Sequence, residues 1–450
     1  LGRRGAYSTT LLQCGLVEIL SNPPDGGYGW VVVFGAFMVQ FWVAGLFKSY
    51  GVLYVEIMET FPDSSESVAS WIPAALSTLC LALAPLSSAL CEKYSCRLVV
   101  FIGGLFCGTG LALSYFSTGL FHLLLSFGVM TGIGGGLSTT PGIVIVSQYF
   151  DKHRALANGI CVSGTAAGSF VFPMLIEKLV DTYGLHGTVL LLGKLFFYIF
   201  ILFKYYTLYC YFPGLPREVA RLRLRPTRSS SILHSVEDLS TDSTCVYKAS
   251  RRKISRYLDV SLLKSWRFGL LCASVALMSC GSPYALYYLP AYTVAVGHSK
   301  SAAGHLVAIS AVLDLCGRLG LGYLCDLHLF CRRKAYIVSI LVAGAATIKT
   351  LQLCFPGAYG LCLGCWFLLV PVLLADTFGT ARIASSYGLV RMFQSLAAVS
   401  VPPTAGLVRD VTGGYSWCFY GMGSCMVLGS IPVILHRSFA FYANRRAMRA

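Results

Sequence analysis

Three charged residues interrupt stretches that are otherwise apolar. Lys48 lies inside a run that starts at Trp30-Val31-Val32-Val33 and continues past Tyr50-Gly51-Val52-Leu53. Asp314 and Arg318 lie in Val312-Leu313-Asp314-Leu315-Cys316-Gly317-Arg318. A helix crosses a bilayer with about 20 apolar residues, so Lys48 falls within its span, where an ionisable group costs roughly 3 kcal/mol or more and seldom faces lipid. One account is a lysine that snorkels to the interface along its four-carbon stem, although Glu56 is only about two helical turns away. The chemical account is a cation that faces an internal aqueous cavity and holds an anion or a proton. A spacing of four places Asp314 and Arg318 on one helix face, within pairing reach. They are either a structural ion pair in a polar interior or a working pair. In the working pair the guanidinium offers its donors to a carboxylate, beside an Asp that carries a proton. Two cations and one carboxylate favour a small anion. Carrying one proton with one monoanion is electroneutral and avoids roughly 2.3 kcal/mol per charge per 100 mV.

The composition places these residues in a membrane protein. Of 450 residues, 56% are hydrophobic and 12% charged, with a mean hydropathy of +0.68, unlike a soluble domain of this length. The net charge of +16 would point to nucleic acid in a soluble chain. Here the basic residues sit between apolar runs, so no nucleic acid is expected. The 18 cysteines lie mostly inside apolar runs, which argues against a disulfide framework. Cys362-Leu363-Gly364-Cys365 lies mid-span without a second pair and reads as packing. The first apolar run is too long for a secretory signal and has no small-residue cleavage site. The histidines form no Ser/His/Asp or metal constellation, so neither enzyme chemistry, a cofactor nor a metal is expected.

Twelve membrane helices can be placed, at about 29–56, 67–90, 98–117, 119–147, 155–180, 187–211, 268–296, 301–325, 335–354, 357–379, 382–408 and 416–436. They define a segment 1–28, a six-helix half 29–211, a linker 212–266, a second half 267–436 and a basic tail 437–450. The linker is rich in Arg and Ser/Thr and reads as disordered. Basic residues mark one side: Lys93, Arg97, Lys152, Arg154, the linker, Arg332-Arg333-Lys334 and the tail. By the loop-charge rule that side is cytoplasmic, and both termini lie there.

The two halves repeat each other. Gly159, Pro173 and Asp181 have the spacing of Gly388, Pro402 and Asp410, and both runs end in glycine, at Gly184 and Gly413. A duplicated six-helix unit is the architecture of major-facilitator transporters, with the site at mid-membrane between the halves. Gly104-x-x-x-Gly108 and Gly164-x-x-x-Gly168 suit close helix crossings. Gly132-Ile133-Gly134-Gly135-Gly136 has neither the strand nor the spacing of a nucleotide loop and reads as helix packing.

Two motifs carry a family resemblance. They are Pro24-Asp25-Gly26-Gly27-Tyr28-Gly29-Trp30 entering span one, and Tyr149-Phe150-Asp151-Lys152-His153-Arg154-Ala155-Leu156-Ala157-Asn158-Gly159 entering span five. With them the chain resembles the monocarboxylate transporter family, from about Pro23 to Leu435. The resemblance implies an all-α major facilitator fold of twelve helices. It places substrate binding on Lys48 and Arg318, proton coupling on Asp314 with Lys48, and motif or gating roles on Asp25, Gly26, Gly27, Trp30, Arg154 and Gly159. In the family, span-ten side chains shape the pocket, and Leu361, Leu363 and Trp366 occupy that region here. Span six departs from the family: Lys194-Leu195-Phe196-Phe197-Tyr198-Ile199-Phe200-Ile201-Leu202-Phe203-Lys204-Tyr205-Tyr206 replaces a small-residue stretch. It is either a mistranslated segment of the gene or an unusual aromatic span.

The expected function is proton-linked symport of small monocarboxylates such as lactate or pyruvate at the plasma membrane. The partners are the carboxylate, a proton and membrane lipid. Some family members also need a single-span glycoprotein chaperone, which no feature here decides. The alternatives are a facilitative carrier of creatine, carnitine, aromatic amino acids or a related solute, and a non-transporting sensor or scaffold.

Overall fold

The computed structural model describes residues 25–61, 66–209, 259–282, 284–327, 329–348 and 355–435. Segment 1–24, most of the linker and the tail from 436 lie outside them. Every regular element among the described residues is helical. Among the described residues, nine helical stretches are long and apolar enough to cross a membrane. One of these, Arg154–Ile201, holds two spans, because Gly184 breaks it with φ 65° and ψ −177°. Two further helices complete twelve: Arg332–Ile348, which opens on three basic residues, and Ile383–Thr412, which carries four Ser, one Gln and two Arg. The structure is thus the expected all-α fold of twelve spans.

Lipid is as apolar as the spans themselves, so close backbone approach rather than hydrophobic burial selects the contacts. Span five packs on span one at Gly164 and Gly168; a Cβ on Gly168 would stand 2.5 Å from the Phe41 carbonyl oxygen. The glycine run 132–136 lies inside the helix Thr131–Tyr149, and a Cβ on Gly134 would lie 2.5 Å from the Cys107 nitrogen of span three.

The aromatic span six finds its place by the same rule. Phe196 and Phe200 are buried, and Gly104 and Gly108 of span three form the groove that receives Phe200 and Phe197. Lys194 and Tyr198 face outward.

The sequence repeat becomes a structural one. Gly159 of span five meets the Arg318 carbonyl of span eight, where a Cβ would be 2.7 Å away; Gly388 of span eleven meets Pro85 of span two at 3.0 Å. The repeated glycine is therefore a point of close backbone approach between the halves in each repeat. The terminal glycines of the repeat, Gly184 and Gly413, both take positive φ, 65° and 69°, which an L side chain adopts only with strain.

Candidate functional site

Span one reaches its charge through an irregular backbone. The helix Tyr28–Val39 passes through a π-helical turn, Gln40–Ala44, into Gly45–Lys48, then resumes as Tyr50–Thr60. A π turn inserts one extra residue, rotating everything after it around the helix axis. Gln40, at that turn, is buried and satisfied: its amide donates to the Thr139 carbonyl at 3.3 Å and accepts from Thr165 at 3.4 Å.

Lys48 Nζ then donates to Asp314 Oδ2 at 2.9 Å. Asp314 and Arg318 lie one turn apart in Lys300–Asp326, each with a side chain 1% exposed. Arg318 Nε donates to Asp314 Oδ1 at 2.7 Å and Nη2 to Oδ2 at 2.8 Å, a bidentate fork; its Nη1 donates to the Val162 carbonyl of span five. One carboxylate thus holds two cations, one from each half. Phe367 of span ten presents its ring to both, 5.4 Å from Lys48 Nζ and 4.9 Å from the Arg318 guanidinium carbon. The group carries one net positive charge in a low-dielectric setting, where an unneutralised ion is expensive.

A second constellation closes the basic end. Asp25 accepts from the backbone N–H groups of Asp151 and Lys152 at 2.7 and 2.9 Å, and Trp30 packs on Phe150 with ring centroids 5.0 Å apart. The two sequence motifs therefore touch. Gly26 and Gly27 supply the turn that starts span one, their carbonyls accepting from Gly29 and Trp30. Arg154 pairs with Asp151 and lies 3.9 Å from Asp376 of span ten. Asp326, at the end of span eight, accepts from Ala155 N at 3.1 Å and Leu156 N at 2.8 Å. It thereby caps the first turn of span five from the opposite half. Arg332 joins Asp376 at 2.9 Å.

The candidate residues thus divide into two groups. Lys48, Asp314 and Arg318 meet in the interior; Asp25, Gly26, Gly27, Trp30 and Arg154 gather at the basic end, and Gly159 sits against Arg318. The span-ten expectation needs correction. Leu361 is 42% exposed, Leu363 is in the core, and the Trp366 indole donates to Tyr336; Phe367 is a span-ten side chain whose ring lies against both cations. Helical phase relative to span eight decides this, and sequence position alone does not show it. Sequence reasoning also passed over Asp376 and Arg391. The rule that singled out Lys48, a charge inside an apolar span, would have found Arg391.

The sequence matches the Major Facilitator Superfamily over residues 29–399. It is 30% identical over 428 residues to Monocarboxylate transporter 12 of Mus musculus, covering 92% of this chain and 86% of the relative. It is also 30% identical over 418 residues to Monocarboxylate transporter 2 of Meriones unguiculatus, covering 91% and 84%. In fold it is similar to the human organic anion transporter MFSD10, with a TM-score of 0.65 at 16% identity, covering 91% of this chain and 100% of that one. The proton:xylose symporter XylE gives 0.65 at 15% identity, covering 90% and 95%.

Proposed function

The chain belongs to the monocarboxylate transporter family of the major facilitator superfamily, and within it we propose a plasma-membrane symporter of a proton with a small monocarboxylate such as lactate or pyruvate. The observation that carries this reading is the ion triad, Lys48 from one half bonded to an Asp314 already forked by Arg318. In the empty carrier Asp314 is the internal counter-ion of both cations. Protonating it removes that counter-ion and leaves Lys48 and Arg318 without a neutralising charge. A substrate carboxylate then takes its place, with the Arg318 fork suited to its two oxygens. Proton and anion enter together, so the loaded site keeps the charge of the empty one.

Lys48 and Asp314 lie on opposite halves, so breaking and remaking their bond couples loading to the rocking of one half against the other. The solute leaves chemically unchanged. The basic end, with both termini, is cytoplasmic in this reading.

Uptake of labelled lactate, pyruvate, creatine and tryptophan by expressing cells, at two external pH values, tests it. The proposal requires lactate or pyruvate uptake that rises when the outside is acidified. A pH-independent uptake of creatine or tryptophan would establish the facilitative alternative. Rings of spans one and seven favour that alternative, since Tyr50, Tyr54 and Tyr288 all gather on Tyr287, at 6.4, 6.0 and 4.9 Å. No uptake of any of the four, with protein at the surface, would favour a sensor or scaffold.

A further inference from the structure

Span eleven carries a cation that the triad does not use. Arg391 lies in Ile383–Thr412 on the stripe that includes the buried residues Ala384, Tyr387, Gly388, Gln394, Ser395 and Ala398, whereas Met392, Leu396 and Val399 form the outward face. Its guanidinium therefore points inward. No carboxylate lies within ion-pair distance of it among the described residues. Its Nε is buried and has no hydrogen-bond acceptor among the described residues. What it does touch is weak: the Tyr387 ring, 5.9 Å from the guanidinium carbon, and the Cys80 thiol of span two. A guanidinium has five N–H donors, and a thiol is a poor acceptor. A half-buried cation with so little to neutralise it is costly in a membrane.

Arg391 also lies at the depth of the triad: by the repeat of Gly159 and Gly388 it stands where Val162 stands in the other half, and the Val162 carbonyl accepts from Arg318. The Tyr387 phenol has both Arg391 and Arg318 as electrostatic neighbours, with Cys161 of span five and Cys80 of span two beside them. Span eleven also meets span two here directly, Gly388 against Pro85. Lys48, Asp314 and Arg318 leave one net positive charge, and Arg391 adds a second. A monoanion can match only one of these.

We infer that Arg391 is a second anion-binding point in the central site, and that the protein accepts carboxylates bearing a second anionic group, small dicarboxylates foremost. This rests on the carboxylate-transport reading above. One carboxylate meets Lys48 and Arg318, and the other meets Arg391 across Tyr387.

Thermal unfolding of the purified full-length protein, at fixed ionic strength, with succinate or with butyrate tests the inference without depending on turnover. Succinate should stabilise the wild-type protein at concentrations at least about tenfold lower than butyrate does, the gain expected from one additional charge-assisted contact. Arg391→Gln should abolish that advantage, and Arg391→Lys should keep part of it. Equal stabilisation of the wild type by the two compounds, or a succinate advantage that survives Arg391→Gln, overturns the inference and leaves the carboxylate reading standing. Stabilisation by neither compound overturns both.

Discussion

Lys48 of span one and Asp314 of span eight are joined at 2.9 Å across 266 residues of sequence. Each alone is an expensive ion in an apolar helix, and together they bind one half of the molecule to the other. Removing Lys48 leaves Asp314 still forked by Arg318, a neutral pair, so the fold survives while the cation that faces the substrate is lost.

Lys48→Gln should therefore abolish carboxylate uptake while surface expression persists. Lys48→Arg keeps the charge and should retain part of the activity. Uptake at the wild-type level by Lys48→Gln, with protein at the surface, would remove Lys48 from the anion site.

Asp314 and Arg318 should fail in different ways. Asp314→Asn leaves both cations in place, so substrate should still bind, but accumulation driven by an acidified exterior should be lost. Arg318→Gln removes the fork, and binding itself should weaken by about tenfold or more, as expected for a charge-assisted hydrogen bond. Binding measured by thermal stabilisation and uptake measured in parallel separate the two. An Asp314→Asn variant that still concentrates substrate against its gradient would end the proton-carrier role.

Asp326 caps span five from the other half, so Asp326→Ala should weaken closure of the basic end by about 1 kcal/mol, the usual value of a cap. A cysteine placed at Leu156 should then label faster with a maleimide applied from that side. Unchanged labelling would mean the cap does not hold the end shut.

Gly104→Val should destabilise the fold by about 1–3 kcal/mol, as overpacking does, because even the first added carbon would stand 2.2 Å from the Phe200 ring. Phe200→Ala in the same chain should restore part of the loss, since neighbouring substitutions couple. Strictly additive effects on the unfolding temperature would show that span six does not lie in this groove.

Cys331 lies in the loop between spans eight and nine and is exposed. The Lys334 backbone N–H first, then the Arg333 N–H and the charges of both residues, hold its thiol below the ordinary value, more than offsetting slight burial. A lowered value means that the thiolate persists to lower pH. Alkylation of Cys331 should therefore reach half its maximal rate at a lower pH than a free thiol does, and Arg333→Gln with Lys334→Gln should move that point upward. An impermeant maleimide should reach it only from the cytoplasmic side; labelling from outside intact cells would reverse the proposed orientation.

The sequence alone determined the fold class, because the signals behind it are local. About twenty apolar residues make a span, and a repeat at Gly159 and Gly388 makes two halves. It also determined which residues could not be ordinary, since a charge inside an apolar run is conspicuous wherever its partner lies. What it could not determine was who meets whom. Lys48 meets Asp314 only because a π-helical turn and the crossing of spans one and eight set the phase of both helices. Phe367 rather than Trp366 faces the charges because one residue along a helix is a rotation of about 100°. Asp25 closes on the loop before span five, and Asp326 caps span five itself, across separations that no spacing rule covers. Those contacts depend on how rigid helices pack against one another, a property of the whole bundle and not of any one stretch of it.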